Sequence, residues 1–180
     1  MQETPADPNQ LMHPSLRHAG LRSFAELSPH DVAALLAYAR MLLQAAQQGT
    51  VQPLLRAKNL GLLCEADDTG HDDAALFRRA AVELGAHVAH IRPSLSEHSS
   101  VQELQYTARM LGRLYDAVEC QRIPADLVQR LREHVDVPVY DGLASPDNPT
   151  AKVADLLDAA TPPADRRRIV VQAVLLSTVA

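Results

Sequence analysis

The stretch NLGLLCEADDTGHDDAALFRRAAVELGAHVAHI, residues 59–91, decides the fold. Residues 59–65 are a short apolar run typical of a buried strand, and residues 86–91 are a second run of this kind. Between them, residues 72–84 repeat their apolar positions at helical spacing, and Gly85 follows as a stop signal. A strand, a helix and a second strand in this order predict two parallel strands joined by a right-handed crossover.

The same alternation extends along the chain. Residues 116–120 and 137–140 are two further short strands, and helical patterns lie between and around the strands. We therefore predict an α/β fold: a three-layer αβα domain with a four-stranded parallel sheet. The single domain covers residues 23–180 and ends in a helix over 164–179. Residues 1–22 are predicted to be a flexible arm, because they contain several prolines and little periodicity.

Helix-start signals support these boundaries. Ser28, followed by Pro29 and Asp31, has the residue types of a helix N-terminus, and Ser100 with Glu103 has the spacing of a capping box. Asn148 and Pro149 read as an N-cap and a first helical residue, with contact between Asn148 and a ligand as the alternative. The arginine run at 166–168 is interpreted as the solvated face of the last helix.

Composition excludes several function classes. The net charge is −5 and the basic residues are scattered, so the chain offers no electrostatic footprint for nucleic acid or an anionic membrane. No apolar run approaches the ~20 residues that span a bilayer, and the first ten residues lack the apolar core of a secretory signal. Cys64 and Cys120 are expected to be buried, reduced thiols. These features predict a cytoplasmic protein.

The junction between the first strand and the following helix is unusual in its charge. In an open α/β sheet, backbone N–H groups and the positive end of a helix converge at such a junction and attract anions. Here the loop carries five carboxylates (Glu65, Asp67, Asp68, Asp72 and Asp73), and no Lys or Arg occurs between Lys58 and Arg78. These acids either cap the helix and face water, or bind a cation or an amine.

Several segments resemble the carbamoyl-phosphate-binding domain of the aspartate and ornithine carbamoyltransferase family. LRSFAELSPHDVAALLAYA, LLRAKNLGLLCE and AAVELGAHVAHI resemble its first helices and strands. VQELQYTARMLGRLYDAV resembles the family's E-D-T-A-R-V-L…D-A-I, and VDVPVYDGLASPDNPTAKVADLL resembles V-P-V-I-N-G-L-S-D…H-P-x-Q-x-L-A-D-L. The resemblance covers about 140 residues in consistent order and implies the same fold.

The tail ADRRRIVVQAVLLSTVA resembles the helix through which the family's chain returns to this domain, with its pattern N-R-x-H-x-Q-x-A. In the family, a second domain that binds the amino-acid substrate precedes that helix. Here the helix follows the VADLL segment after a short link with Pro162 and Pro163. The resemblance therefore implies that the substrate domain has been deleted, together with the residues that hold ornithine or aspartate.

The motifs that carry the family's chemistry are altered. The phosphate loop S-x-R-T-R is replaced by ADDTGHDD, which places Asp68, Thr69 and Gly70 at the corresponding positions. The arginine that polarises the carbamoyl group aligns with Gln121, next to Arg122. The His and Gln of H-P-x-Q align with Asn148 and Ala151, and only Pro149 is retained. These seven positions are the candidate ligand-binding residues: Asp68, Thr69, Gly70, Gln121, Arg122, Asn148 and Pro149.

These changes predict that the chain is not a carbamoyltransferase, since transfer requires positive charge where the phosphate leaves and where the oxyanion develops. We expect a catalytically degenerate domain that acts as a binding or assembly module, without a cofactor or a metal. The resemblance implies a homotrimer, with a small-molecule ligand as a further possible partner. Two alternatives remain: a domain that still binds carbamoyl phosphate or another small anion, and a cation- or amine-binding module that uses the acidic loop.

Overall fold

The computed structural model describes residues 27–65 and 72–179. Within them, helices and strands alternate as α1 (Pro29–Gln47), β1 (Asn59–Leu63), α2 (Asp72–Glu83), β2 (His87–Ile91), α3 (Val101–Leu114), β3 (Ala117–Cys120), α4 (Ala125–Arg132), β4 (Val139–Asp141), α5 (Ala151–Asp155) and α6 (Pro163–Val179). The four strands pair in the order β2-β1-β3-β4, and every pair is parallel. The predicted α/β class and four-stranded parallel sheet are confirmed, whereas the predicted arm lies outside the described residues.

The register brings the carboxyl ends of the strands to one edge of the sheet. Leu63 pairs with Ile91 on one side and with Cys120 on the other, and Cys120 pairs with Asp141. The chain moves outward from β1 to β2, and then returns to the other side of β1 for β3 and β4. The change of direction falls between β1 and β3, where open α/β sheets form ligand-binding crevices.

Helices cover both faces of the sheet. On one face, α1, α2, α5 and α6 bury their apolar side chains with Leu60 and Leu62 of β1. On the other face, α3 and α4 pack against Leu63 of the same strand and against Val118. Alternate residues of β1 enter opposite cores because successive side chains of a strand point to opposite faces.

Helix α6 is enclosed by the domain. Every residue from Ile169 to Val179 is buried, because this part of the helix packs against α1, α2 and α5. The buried polar side chains have partners: Gln172 donates to the carbonyl of Ala80 at 3.2 Å, and Ser177 donates to that of Ala173 at 2.7 Å. Among the residues that the structure describes, no helix, including α6, is long and apolar enough to cross a membrane.

The interpretation of the arginine run as a solvated face is wrong. Arg166, Arg167 and Arg168 are all partly buried. Arg168 forms ion pairs with Glu83 of α2 and with Asp165. The first turns of α6 lie against the rest of the domain, so these guanidinium groups connect elements that are distant in sequence.

Two predicted helix starts are confirmed and one is shifted. Ser28 and Ser100 each form a complete capping box with an acidic residue three positions later. The helix predicted to begin at Pro149 begins at Ala151, after Thr150. The preceding residues form tight turns instead, because the N–H of Ala151 bonds to the carbonyl of Asn148 at 2.8 Å.

Cys64 and Cys120 are both buried and neither forms a disulfide, as predicted. Cys64 belongs to the core on the α6 side of the sheet, whereas Cys120 belongs to the core under α3 and α4. Although their strands are neighbours, the two side chains enter opposite faces. The two thiols therefore do not face each other as a redox pair would. Burial raises the pKa of the Cys120 thiol.

Candidate functional site

A cleft of about 1020 Å³ opens at the carboxyl ends of β3 and β4. Its walls come from the start of α2, from the residues after β3, from α4, and from the loop between β4 and α5. The lining residues are Asp73, Gln121, Arg122, Ala125, Asp126, Gln129, Arg130, Arg132, Asp141, Gly142, Ser145, Pro146, Asp147, Asn148 and Pro149. The cleft has the size and the position of a small-molecule site in an open α/β fold.

Four of the predicted ligand-binding residues line this cleft: Gln121, Arg122, Asn148 and Pro149. They come from two loops that are separated in sequence, and the parallel register of β3 and β4 brings these loops together. The other three, Asp68, Thr69 and Gly70, lie outside the described residues.

Gln121 is fixed at the inner end of the cleft. Its backbone N–H donates to the carbonyl of Leu63 at 2.9 Å, which extends the β1–β3 pairing by one residue. The residue is only 3% exposed. Its side-chain Nε2 donates to Asp73 at 3.4 Å, whereas its Oε1 atom is buried without a hydrogen-bond partner. The amide is therefore incompletely satisfied where it borders the cleft.

Arg122 has an unusual backbone conformation. Its φ angle is +56°, in the left-handed region that few side chains other than Asn and Asp adopt readily. The conformation turns the chain sharply after β3 and leaves the residue exposed at the cleft wall. Strained residues of this type are concentrated at binding and catalytic sites.

The side chain of Asn148 organises the loop after β4. Its Oδ1 atom accepts hydrogen bonds from the N–H of Thr150 at 3.1 Å and from the Thr150 hydroxyl at 2.8 Å. Its Nδ2 atom donates to the carbonyl of Asp141 at 3.2 Å. The amide thus fixes the outer wall of the cleft, next to the buried Pro149.

Glu119 is a buried carboxyl group that the sequence interpretation missed. Its Oε1 atom accepts a hydrogen bond from the N–H of Leu143 at 2.9 Å, and Oε2 has no partner. Burial raises its pKa well above the usual value, the Leu143 N–H opposes this rise, and the charge of Asp141 adds to it. An acidic residue inside the apolar strand segment DAVEC is the signal that could have identified it.

Asp141 supplies a second unpredicted carboxyl group, at the end of β4. The residue is half-buried. Burial raises its pKa, and the positive charge of Arg132 opposes the rise. Comparison with the family pattern could have identified Asp141 as a candidate, because V-P-V-I-N-G-L has Asn where VPVYDGL has Asp141.

The side chain of Arg167, on α6, binds the loop that follows β4. Its guanidinium group donates to the carbonyls of Leu143 and Ser145, the latter at 3.1 Å, and to the Thr150 hydroxyl at 3.2 Å. Burial lowers the pKa of Arg167 to about 10, while the carboxylates of Glu119 and Asp73 act in the opposite direction. Arg167 therefore interacts electrostatically with the buried Glu119 and with Asp73 of the cleft wall.

Two of the cleft arginines bind backbone carbonyls. Arg130 donates to the carbonyl of Glu97 at 3.2 Å and to that of Ser99 at 2.8 Å. Arg132 donates to the carbonyl of Val139 at 3.0 Å. These contacts connect α4 to the loop before α3 and to β4, so both guanidinium groups contribute to the framework of the cleft.

Metal binding has no support within residues 27–65 and 72–179. No three His, Cys, Asp or Glu side chains of that part of the chain are grouped so that they could hold a metal ion.

Comparison with known proteins relates most of this chain to one family. The profile described as "Aspartate/ornithine carbamoyltransferase, carbamoyl-P binding domain" matches residues 20–160. Ornithine carbamoyltransferase of Cutibacterium acnes is 37% identical over 143 residues, which are 79% of this chain and 42% of that protein. The catabolic ornithine carbamoyltransferase of Burkholderia mallei is 36% identical over the same length. The chain thus spans less than half the length of these relatives.

Solved structures agree at the level of the fold. Ornithine carbamoyltransferase from Burkholderia thailandensis superposes with a TM-score of 0.63 at 22% identity, covering 77% of this chain and 47% of that one. The enzyme from Pyrococcus furiosus gives a TM-score of 0.62 at 21% identity, covering 78% of this chain and 44% of that one.

Proposed function

The chain belongs to the aspartate/ornithine carbamoyltransferase family, through its carbamoyl-phosphate-binding domain, and from this premise we propose that it is a non-catalytic binding and assembly module. Its cleft retains the family's position in the fold and has lost the charges that carbamoyl transfer uses. The observation that carries this proposal is Gln121, which is 3% exposed and bonded to Asp73 at the position that resembles the family's carbonyl-polarising arginine.

The charge at this position decides the chemistry. An oxyanion that develops on a carbonyl is stabilised by preorganised donors or cations, and removal of one such donor typically reduces the rate ~10²–10³-fold. Gln121 contributes a neutral amide, and that amide already donates to a carboxylate.

The nearby carboxylates oppose a dianionic ligand. Asp73 and Asp141 both line the cleft. Two like unit charges ~4 Å apart repel by about 4 kcal/mol at an effective dielectric of ~20. The N-terminus of a helix stabilises a nearby negative charge by only ~0.3–1 kcal/mol. Since a phosphate group carries two negative charges, repulsion by these carboxylates outweighs the attraction at the α2 N-terminus, and only the arginines that line the cleft would favour such an anion.

The absence of transfer can be tested with the purified protein. We expect no carbamoylated product above the uncatalysed background when carbamoyl phosphate is supplied with ornithine or with aspartate. A full-length ornithine carbamoyltransferase provides the positive control in the same assay. Enzyme-dependent product formation, lost in Gln121→Ala, would contradict the proposal.

A second candidate function rests on Arg122. This exposed arginine lines the cleft with a strained backbone, and it could hold a small anion together with backbone N–H groups. Thermal unfolding with and without carbamoyl phosphate separates the two candidates. A saturable rise in the melting temperature that disappears in Arg122→Ala would favour the anion-binding function; no rise favours the non-catalytic module without an anion.

We also propose that the module self-associates, as the resemblance to a trimeric family implies. An apolar face on α3 supports this step: Tyr106 is 68% exposed, Met110 38% and Leu114 56%. Arg109 and Arg113 flank these side chains and line the same groove of about 390 Å³. An exposed apolar stripe of this kind is typical of a protein–protein contact.

Light scattering at micromolar concentrations tests the assembly, with a trimer as the expected species. The substitution Leu114→Glu should convert the trimer to the monomer. Leu156→Glu, at a 51% exposed leucine after α5, is the matched control and should leave it unchanged. A monomer in the unmodified protein would refute self-association, and a trimer that persists in Leu114→Glu would exclude the α3 face as the contact.

A further inference from the structure

The loop that follows β4, residues 142–150, forms one wall of the cleft. Its lining residues are Gly142, Ser145, Pro146, Asp147, Asn148 and Pro149. Leu143, near the start of the loop, is bound from the interior of the domain on both sides of its backbone. Its N–H donates to the Glu119 carboxyl at 2.9 Å, and its carbonyl accepts a hydrogen bond from the guanidinium group of Arg167. An acid on β3 and a base on α6 therefore attach the same residue of the wall.

The rest of this wall also depends on Arg167. The same guanidinium group donates to the carbonyl of Ser145 at 3.1 Å and to the Thr150 hydroxyl at 3.2 Å. Gly142, where the loop leaves β4, has a φ angle of +59°, in the left-handed region that glycine adopts without steric cost. A loop that starts at such a residue can absorb a change of backbone angles, and the wall can then move relative to the sheet.

Glu119 lies entirely inside the domain. It is 0% exposed, and it points to the α6 face of the sheet because its neighbours Val118 and Cys120 enter the core under α3 and α4. Its Oε2 atom is buried without a hydrogen-bond partner among the described residues, and so is the Nε atom of Arg167. A carboxylate with a single hydrogen bond at this depth is strongly disfavoured relative to the neutral acid. Glu119 therefore stays neutral over a wider pH range than an exposed glutamate does.

Titratable groups from four elements interact with Glu119. They are Cys120 beside it on β3, Tyr140 and Asp141 of β4, Asp73 of α2, and Arg167 of α6. Burial raises the pKa of the Cys120 thiol and of the Tyr140 hydroxyl, so both stay neutral. Asp73 and Asp141 oppose the ionisation of Glu119, and Arg167 favours it. Among these five groups, Arg167 is the one that can neutralise a carboxylate at Glu119.

Ionisation of Glu119 changes what Arg167 binds. Burial lowers the pKa of Arg167 to about 10, so this group remains a cation well above neutral pH. A guanidinium group binds a carboxylate more strongly than a neutral carbonyl oxygen, because Coulomb attraction adds to the hydrogen bonds. When Arg167 turns to Glu119, the carbonyls of Leu143 and Ser145 lose their donor. Since a buried acceptor without a donor is unfavourable, these carbonyls gain by moving to water.

We propose that the loop after β4 is a proton-controlled wall of the cleft: it is closed while Glu119 is neutral, and it opens when Glu119 ionises and draws Arg167 away from the loop carbonyls. The N–H of Leu143 stays bonded to Glu119, so the movement is confined to the residues that follow Leu143. The proposal goes beyond the proposed function, because it concerns access to the cleft and is independent of the ligand that the cleft takes.

Amide hydrogen exchange, measured by NMR across a pH series, tests the proposal. The reporters are the N–H groups of Ser145 and Asn148, which form hydrogen bonds within the loop at 2.8 and 3.1 Å. Protection factors are compared, since they remove the intrinsic acceleration of exchange with pH. We expect protection at both amides to fall as the pH rises above 4.5 and through the raised pKa of Glu119. The fall should be at least about tenfold, the factor that corresponds to one pKa unit.

The opening is expected to be local. The N–H of Val171, at a 0% exposed position in α6, reports the unfolding of the whole domain. At each pH above the transition, Ser145 and Asn148 should be less protected than Val171 by at least about tenfold, as for a sub-global opening. Equal protection of the loop and of α6 would mean that the wall opens only when the domain unfolds, which would overturn the proposal.

Three variants assign the effect to its groups. Glu119→Gln keeps an acceptor for Leu143 and cannot ionise, so its loop amides should stay protected across the pH series. Arg167→Met removes the donors to the loop, so protection should be low at every pH and should show no pH-dependent fall. Glu133→Gln, at an exposed position that follows α4, is the matched control and should retain the fall seen in the unmodified protein.

A further measurement on the unmodified protein needs no variant. The NMR shift of the Glu119 side-chain carboxyl carbon reports its ionisation directly, and its midpoint should coincide with the midpoint of the fall in loop protection. The proposal is overturned by protection that does not change with pH, or by two midpoints that do not coincide. It is equally overturned by a fall that persists in Glu119→Gln or Arg167→Met, or by one that is lost in Glu133→Gln.

Discussion

The carboxyl group of Glu119, on β3, accepts a hydrogen bond from the backbone N–H of Leu143 at 2.9 Å. Leu143 lies in the loop that follows β4, so this bond attaches one wall of the cleft to the interior of the sheet. Because Glu119 is 0% exposed, the ionisation of a single buried group is coupled to the conformation of that wall.

Glu119→Gln should alter the pH dependence of folding. Burial raises the pKa of Glu119 in the folded state above its usual value of 4.5. The stability that the neutral carboxyl provides is thus complete below that value and is lost as the pH rises through the folded pKa. Glutamine keeps an acceptor for Leu143 and cannot ionise. In urea unfolding experiments, the variant should become increasingly more stable than the unmodified protein as the pH rises above 4.5 and through the raised pKa of Glu119.

The control for this prediction is Glu97→Gln, at an exposed position before α3. Its stability should follow that of the unmodified protein at each pH. A pH-independent difference in Glu119→Gln would show that the raised pKa does not contribute to folding.

Arg167→Met should loosen the loop after β4. The substitution keeps an apolar stem in α6 and removes the donors to Leu143, Ser145 and Thr150. Loss of one member of a buried polar network typically costs ~2–4 kcal/mol, because the remaining partners are left unsatisfied. Urea unfolding should register this loss, and amide hydrogen exchange should accelerate at Leu143.

Arg78→Met, at an exposed arginine of α2, provides the comparison for that experiment. It should change stability by less than ~0.5 kcal/mol. If both substitutions have the same small effect, Arg167 does not support the loop.

Gly85→Ala should destabilise the protein by ~1–3 kcal/mol, as a strained backbone and a steric clash combine. Gly85 has a φ angle of +87°, and an added Cβ would lie 2.8 Å from the Cβ of Pro53. The residue turns the chain between α2 and β2, so strain there opposes the βαβ unit directly. Thermal unfolding monitored by circular dichroism measures the effect.

Gly112→Ala should have the opposite sign and is the internal control. Gly112 lies within α3, and an added Cβ would come no closer than 3.6 Å to Val135. Alanine in a helix is ~0.5–1 kcal/mol more favourable than glycine. A decrease in stability for Gly112→Ala would indicate that α3 does not tolerate a methyl group at this position.

Ser100→Ala should cost about 1 kcal/mol through loss of the α3 cap. The Ser100 hydroxyl accepts a bond from the N–H of Glu103 at 3.3 Å, while the Glu103 carboxylate accepts one from the N–H of Ser100 at 2.7 Å. Ser100→Asp retains a capping oxygen and should restore most of the stability. Equal stabilities of the two variants in urea unfolding would rule out the cap as the cause.

The strand and helix pattern could be predicted from local sequence because each element carries its own signal. Apolar runs gave β1 and β3, and the capping residues Ser28 and Ser100 marked helix starts that the structure confirms. The helix start after β4 was placed too early. There the side chain of Asn148 bonds to Thr150 and to the carbonyl of Asp141, and this tertiary contact favours tight turns over a helix at Pro149.

The arginine run shows why part of the site could not be predicted. Local composition indicates a solvated helix face for residues 166–168, since three adjacent charges usually face water. Arg167 instead meets the carbonyls of a loop more than twenty residues earlier in the chain, with separations of 22 and 24 residues for Ser145 and Leu143. Nothing in the run itself specifies that contact.

The sequence by itself determined the order of strands and helices, the family, and the replacement of a basic residue by Gln121, because these depend on periodicity and on aligned residue types. Only the tertiary structure decided that Gln121 meets Asp73, that Asp141 lines the same cleft, and that Glu119 is fully buried. Asp73, Asp141 and the β3 segment that carries Glu119 and Gln121 belong to separate elements, and their distances are set by the packing of α2 and α6 against the parallel sheet, which no local stretch of sequence encodes.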